Sequence, residues 1–187
     1  MDTIKSSEDR RRLLRVAREA AEAILAGRET PPIGERPIEG RFGGTFVTLM
    51  NGTRLRGCVG TFLPTENIAE TIQGVTSASL FDRRFVTHPV TLAELPRIDI
   101  EISLLSDPVP ATDALSLKPG VHGIIVCKGP ASGCFLPKVA SEREWTMEEF
   151  LANCCTMKAG LPAHAWRDAD AEVFSFTAEV FSESQTR

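Results

Sequence analysis

Thr45-Phe46-Val47-Thr48-Leu49-Met50-Asn51-Gly52-Thr53-Arg54-Leu55-Arg56-Gly57-Cys58-Val59-Gly60-Thr61-Phe62 places two strand-like runs on either side of Asn-Gly. That dipeptide is the strongest short signal for a β-hairpin. A two-residue turn at Asn51-Gly52 pairs Met50 with Thr53, Val47 with Arg56 and Thr45 with Cys58. Alternation then puts Arg54, Arg56 and Cys58 on one face, and Leu55 and Val59 on the other with Phe46. A longer loop shifts this register.

Working outward, residues 7–26 carry apolar side chains at helical spacing, Leu13, Ala17, Ala20 and Ile24 among them. Ser6 or Ser7 suits the cap, and Gly27 the end. Residues 30–37 are too rich in proline for a regular element. Pro64-Thr65 opens a second helix that runs to about Leu80. Ile98-Asp99-Ile100-Glu101-Ile102-Ser103-Leu104 alternates cleanly as a strand. Gly123–Lys128 and Gly133–Leu136 form another strand pair. Thr146-Met147-Glu148-Glu149 reads as a capping box, with Trp145 and Phe150 spaced as a hydrophobic staple. That helix runs to Lys158 or Ala159 and stops at Gly160-Leu161-Pro162. Glu172–Phe181 is the closing strand. Strands arriving in hairpins, with helices before, between and after them, predict an α+β fold with a mostly antiparallel sheet covered by helices.

The 187 residues suffice for one sizeable core or for two small subdomains. A net charge of −4 argues against nucleic-acid binding by electrostatics. Arg10-Arg11-Arg12 sits among Glu8, Asp9 and Glu19 and reads as a solvated helix face. No stretch is long and apolar enough to span a bilayer, so a cytoplasmic protein is the expectation. The five cysteines follow no regular framework, and most are expected to be free thiols in such a compartment. No motif calls for a metal or a cofactor. Cys127 and Cys134 belong to no C-x-x-C pair, and Cys154-Cys155 reads as helix packing. The glycine-rich segments match no nucleotide loop.

The candidate chemistry centres on Cys58. As a nucleophile it would have Arg56 favouring its thiolate, with Gly57 and Gly60 leaving sulfur and backbone N–H groups open. As a structural residue it would be a small hydrophobe on a strand that needs glycines for close packing. Glu101, on the polar face of its strand, reads as a general base, an arginine partner or a solvated carboxylate. His122, flanked by glycines before a strand, reads as a proton carrier or a turn residue. Arg84, like Arg56, suits a carboxylate or phosphate ligand; its structural reading is an ion pair with Asp82 or Glu101.

Leu55-Arg56-Gly57-Cys58-Val59-Gly60 resembles the L-R-G-C-[IV]-G hexapeptide of the AMMECR family, called AmmeMemoRadiSam system protein A in many prokaryotes. Thr45–Leu49, Ile100–Leu105, Phe135-Leu136-Pro137 and Lys158-Ala159-Gly160-Leu161, with Trp166 beyond, resemble its other blocks in the same order. The chain departs at Arg83, where proline is usual, and at Lys138, where glutamine is frequent. The resemblance implies one domain over residues 1–187, built as two tightly associated subdomains. It also implies association with a radical-SAM protein and a Memo-like protein. Two functions follow as expectations. One is a small enzyme or enzyme component that performs thiol-assisted transfer or addition on a small anionic substrate. The other is a non-catalytic interaction module whose signature strand docks a partner.

Overall fold

The computed structural model describes residues 4, 6–34, 38, 40–64 and 67–186. Thr65, expected to open the second helix, lies outside the described residues, as do residues 35–37 of the proline-rich loop. The described chain divides into two compact units, Met1–Leu105 with Glu179–Arg187, and Ser106–Ala178. Among the described residues, no helix is long and apolar enough to cross a membrane.

In the first unit, α1 (Ser7–Leu25) starts where Ser6 accepts the Glu8 and Asp9 N–H groups. Its buried stripe, Leu13, Leu14, Ala17 and Ala21, lies in one apolar core with Val47 and Leu49 of β1 (Gly44–Asn51). The same core holds Ile72 and Val75 of α2 (Ile68–Leu80) and Ile100 and Ile102 of β3 (Ile98–Leu105). β2 (Arg54–Thr61) is an edge strand; the sheet order is β2-β1-β3-β8, with β8 spanning Ala178–Ser182. α2 begins three residues later than Thr65 because Asn67 accepts the Glu70 N–H and caps the helix there.

The hairpin forms, but not in the expected register. Asn51 pairs with Arg54, so the loop is Gly52-Thr53. Only Gly52 has positive φ, +58°. A turn centred on Asn51-Gly52 would need positive φ at both residues, whereas glycine alone at the first loop position gives the alternative tight hairpin turn. A bulge follows: Met50 faces Leu55 and Leu49 faces Gly57, which leaves Arg56 as the extra residue. The bulge breaks the alternation between Arg54 and Cys58. Cys58 therefore lies opposite Thr48, and Val59 opposite Val47 on the buried face. Phe46 consequently shares the face of Cys58, not that of Val59.

In the second unit the sheet order is β4-β7-β5-β6, from β4 (Val109–Pro110), β5 (Gly123–Lys128), β6 (Ala131–Phe135) and β7 (Ala171–Phe176). Its core holds Ile124, Val126, Phe150, Leu151 and Cys154. The Phe135 ring stacks on Phe150 at 5.5 Å. The expected strand 172–181 is two strands in two sheets, β7 and β8. The break falls at Thr177, whose N–H donates to Ser106 Oγ (3.0 Å) while its carbonyl accepts the Ser106 N–H (3.0 Å). One sheet thus became two, both antiparallel, and the class is α+β as expected.

Between β6 and the long helix lies α3 (Pro137–Glu142), a short helix that begins on proline. α4 (Met147–Cys154) starts at Thr146 in a complete capping box. The Glu149 N–H donates to Thr146 Oγ1 (3.3 Å), and the Thr146 N–H donates to Glu149 Oε2 (2.9 Å). The helix widens into a π turn over Cys155–Ala159 and stops at Gly160, φ +67°. α5 (Glu183–Thr186) closes the first unit.

Removing the Thr146 hydroxyl takes one partner from this box. Thr146→Ala should lower unfolding free energy by about 1 kcal/mol. Urea denaturation of the two proteins checks this, and an unchanged midpoint would contradict it.

Candidate functional site

The site is built where α2 ends against the edge strand. Gly57 permits that approach, because a Cβ there would overlap the Ser79 carbonyl oxygen. Ser79 then enters the strand pair. Its Oγ accepts the Val59 N–H (3.1 Å) and donates to the Val47 carbonyl (2.9 Å). Gly60 is likewise filled from one side, since a Cβ there would collide with the Phe46 ring. The space at both glycines is used for packing rather than left open around Cys58.

Three residues past Ser79, Asp82 caps a short turn over Arg83–Phe85. Its Oδ1 accepts the Arg84 N–H (3.0 Å) and its Oδ2 accepts the Cys58 N–H (3.0 Å). Arg84 Nε bonds the same carboxylate (3.0 Å), and its Nη2 donates to the Cys58 carbonyl (2.9 Å). Both outward backbone groups of Cys58 are therefore held by one ion pair. Burial works against the charged form of Asp82. The hydrogen bonds from Arg84 and from the Cys58 N–H outweigh it and hold the carboxyl at about 2.

The Cys58 sulfur is half-buried and accepts from Thr48 Oγ1 at 3.4 Å. Arg84 supplies the neighbouring charge. Its pKa is raised by Asp82 in the first place, opposed by burial, and raised further by Cys58. The Arg84 side chain keeps 48% of its surface exposed, against 5% for Asp82. A tethered, partly solvent-facing guanidinium thus lies beside a thiol.

Arg56, the expected partner of the thiol, goes elsewhere. Its Nε and Nη2 form a two-point pair with Glu94 (2.6 and 3.0 Å), and Nη2 also donates to the His88 carbonyl (2.9 Å). Asn51 Nδ2 donates to the same carboxylate (3.0 Å). The bulge turns Arg56, itself 5% exposed, into this cluster, which ties the 88–94 segment to the hairpin. The Arg56 hydrogen bond, against burial and with help from Asn51, holds Glu94 at about 2. The Phe85 ring lies 6.0 Å from the Arg56 guanidinium and 5.6 Å from that of Arg84.

Glu101 shares a cross-strand row with Thr48 and Cys58. One strand intervenes, so its backbone is about 10 Å from that of Cys58. His122 belongs to the second unit. There its Nδ1 accepts the Lys118 N–H (3.0 Å) and closes a turn. Of the expected residues, Cys58 and Arg84 meet; Arg56 is engaged by Glu94, and Gly57 and Gly60 serve packing. Thr48, Ser79 and Glu94 are the site residues that sequence reasoning passed over; Asp82 was foreseen as a partner of Arg84 but not as a holder of the Cys58 backbone. Thr91-x-x-Glu94 carried a local signal, since the Glu94 N–H donates to Thr91 Oγ1 (3.2 Å). Among the described residues, no group of three or more His, Cys, Asp or Glu side chains is placed to hold a metal. The other thiols differ in setting. Burial, with Cys155 beside it, pushes Cys154 up to about 12, and burial and Glu172 raise Cys127.

Asp82 and Glu94 have depressed folded-state pKa values. The stability they confer is present above the ordinary carboxylate range and is lost as pH falls toward about 2. Unfolding free energy should therefore decline between about pH 4.5 and 2. The decline should be shallower in Asp82→Asn and in Glu94→Gln. Urea titrations across that range check this, and equal slopes in all three proteins would contradict it.

The sequence matches the AMMECR1 family model over residues 14–181. Protein PF1979 of Pyrococcus furiosus is 41% identical over 188 residues, covering 94% of this chain and 88% of its own length. A protein of Methanothermobacter thermautotrophicus is 38% identical, covering 95% of this chain and 96% of its own. The crystal structure of protein PH0010 from Pyrococcus horikoshii superposes with a TM-score of 0.84 at 38% identity, covering 94% of this chain and 91% of that one. Family-model coverage, relatives matched along nearly their whole length and a shared fold agree: this chain belongs to the AMMECR1 family.

Proposed function

We propose that the chain is a small cytoplasmic enzyme or enzyme component in which Cys58 reacts with an anionic substrate seated on Arg84. The observation that carries this reading is the Arg84 guanidinium, anchored on Asp82 and on the Cys58 carbonyl yet half-exposed beside the sulfur. With Nε and Nη2 committed to Asp82 and the Cys58 carbonyl, the remaining Nη1 donors of this cation recognise a carboxylate or phosphate at a fixed distance from the thiol. Thr48 orients the sulfur by donating to it. In an addition, sulfur bonds an electrophilic carbon of the substrate and the thiol proton ends on the atom that accepts the electron pair. No further reactant is consumed. The association with a radical-SAM protein and a Memo-like protein that the resemblance implies would place this step beside theirs, in one modification or small-molecule pathway.

Competitive alkylation tests the reading. Iodoacetate carries the negative charge that Arg84 would hold, and iodoacetamide does not. Cys58 should be the first of the five cysteines modified in the folded protein. Its preference for iodoacetate should fall several-fold in Arg84→Gln and survive in Arg84→Lys. Modification of Cys58 no faster than Cys154 and Cys155, or an iodoacetate preference indifferent to residue 84, would overturn it.

A further inference from the structure

The turn that holds Cys58 directs its intervening residues outward. Asp82 and Arg84 face the strand, so Phe81, Arg83 and Val86 face solvent. Phe81 is 58% exposed and Val86 74%. Arg83 is exposed and, among the described residues, its side chain makes no hydrogen bond or ion pair. Arg84 adds a second half-exposed guanidinium, whereas the carboxylate of Asp82 is 5% exposed. Two large apolar side chains and two cations thus share a six-residue surface turn, on a chain whose net charge is −4.

Exposed apolar groups rimmed by charge mark interaction surfaces more often than isolated exposed leucines do. The charge selects the kind of partner. A second copy meeting this turn across a two-fold axis would set Arg83 and Arg84 against their own counterparts, which disfavours self-pairing. An acidic segment with interspersed apolar side chains satisfies both features at once: carboxylates on the guanidiniums, apolar groups on Phe81 and Val86. We infer that the Phe81–Val86 turn docks an acidic, apolar segment of a partner protein, next to the Cys58 thiol. The surface would stand even if Cys58 were not the reacting group.

The probe is a labelled synthetic peptide of alternating glutamate and leucine, with a lysine–leucine and a glutamate–glycine peptide as controls, read by fluorescence anisotropy. The glutamate–leucine peptide should bind and weaken as salt rises. Binding should weaken about tenfold or more in Arg83→Glu and in Phe81→Ser, while neither control peptide binds. Both positions are exposed, and unchanged circular dichroism and melting temperature confirm that the variants fold. No binding of the glutamate–leucine peptide, equal binding of all three, or indifference to both substitutions would overturn the inference. Sedimentation showing self-association abolished by Arg83→Glu would also overturn it, by naming a second copy as the occupant. Cys58 alkylation rates report on the thiol separately, so failure here is distinguishable from failure there.

Discussion

An edge strand must place its outward backbone groups somewhere, and in this protein one ion pair answers that demand at Cys58. Asp82 accepts the Cys58 N–H and Arg84 donates to the Cys58 carbonyl. Unpaired strand edges invite further pairing, so the clamp closes the edge at this point and fixes the backbone beneath the thiol. It depends on several earlier features. α2 must end close to the strand, which requires the missing side chain at Gly57. Ser79 must bridge Val59 and Val47, which anchors the helix end between β1 and β2. Only then does Asp82 arrive at the right height.

The two arginines of the site have opposite fates, and the difference is one of burial. Arg56 lies at 5% exposure, with its charge matched by Glu94 and further hydrogen bonds donated to the His88 and Pro89 carbonyls. A buried guanidinium so engaged organises its surroundings and is costly to disturb. Arg84 shares its partner Asp82 just as tightly but remains half-exposed. Its free side is where an incoming anion would be met. Phe85 gives both guanidiniums an aromatic neighbour. The outward-facing Phe81, Arg83 and Val86 follow from the same turn, so the setting of the thiol, the proposed anion-holding group and the proposed docking surface have one structural origin.

Much of this was readable in the sequence where the signals are local. The capping box at Thr146, the stop at Gly160 and the alternation of Ile98–Leu105 need only neighbouring residues, and all are present. Asn51-Gly52 announced a hairpin but not its register, because the choice between two tight turns rests on whether Asn51 or only Gly52 takes positive φ. The shift and the bulge then changed which side chains share a face. The strand expected over 172–181 alternates without a break, and nothing in its pattern marks Thr177 as the point where it leaves one sheet for another. Glu94 is 38 residues from Arg56, and no local pattern links them. The Asp82–Arg84 pair was foreseeable as an ion pair. Its grip on the Cys58 backbone is a tertiary fact.

Amide hydrogen exchange at Cys58 tests the clamp most directly. On an edge strand, an outward N–H without a partner exchanges quickly. Here the Cys58 amide should exchange slowly at neutral pH. In Asp82→Ala it should exchange fast, while the amides of β1 and β3 keep their protection. A Cys58 amide that already exchanges freely in the unaltered protein, or one equally protected in both proteins, would contradict the account.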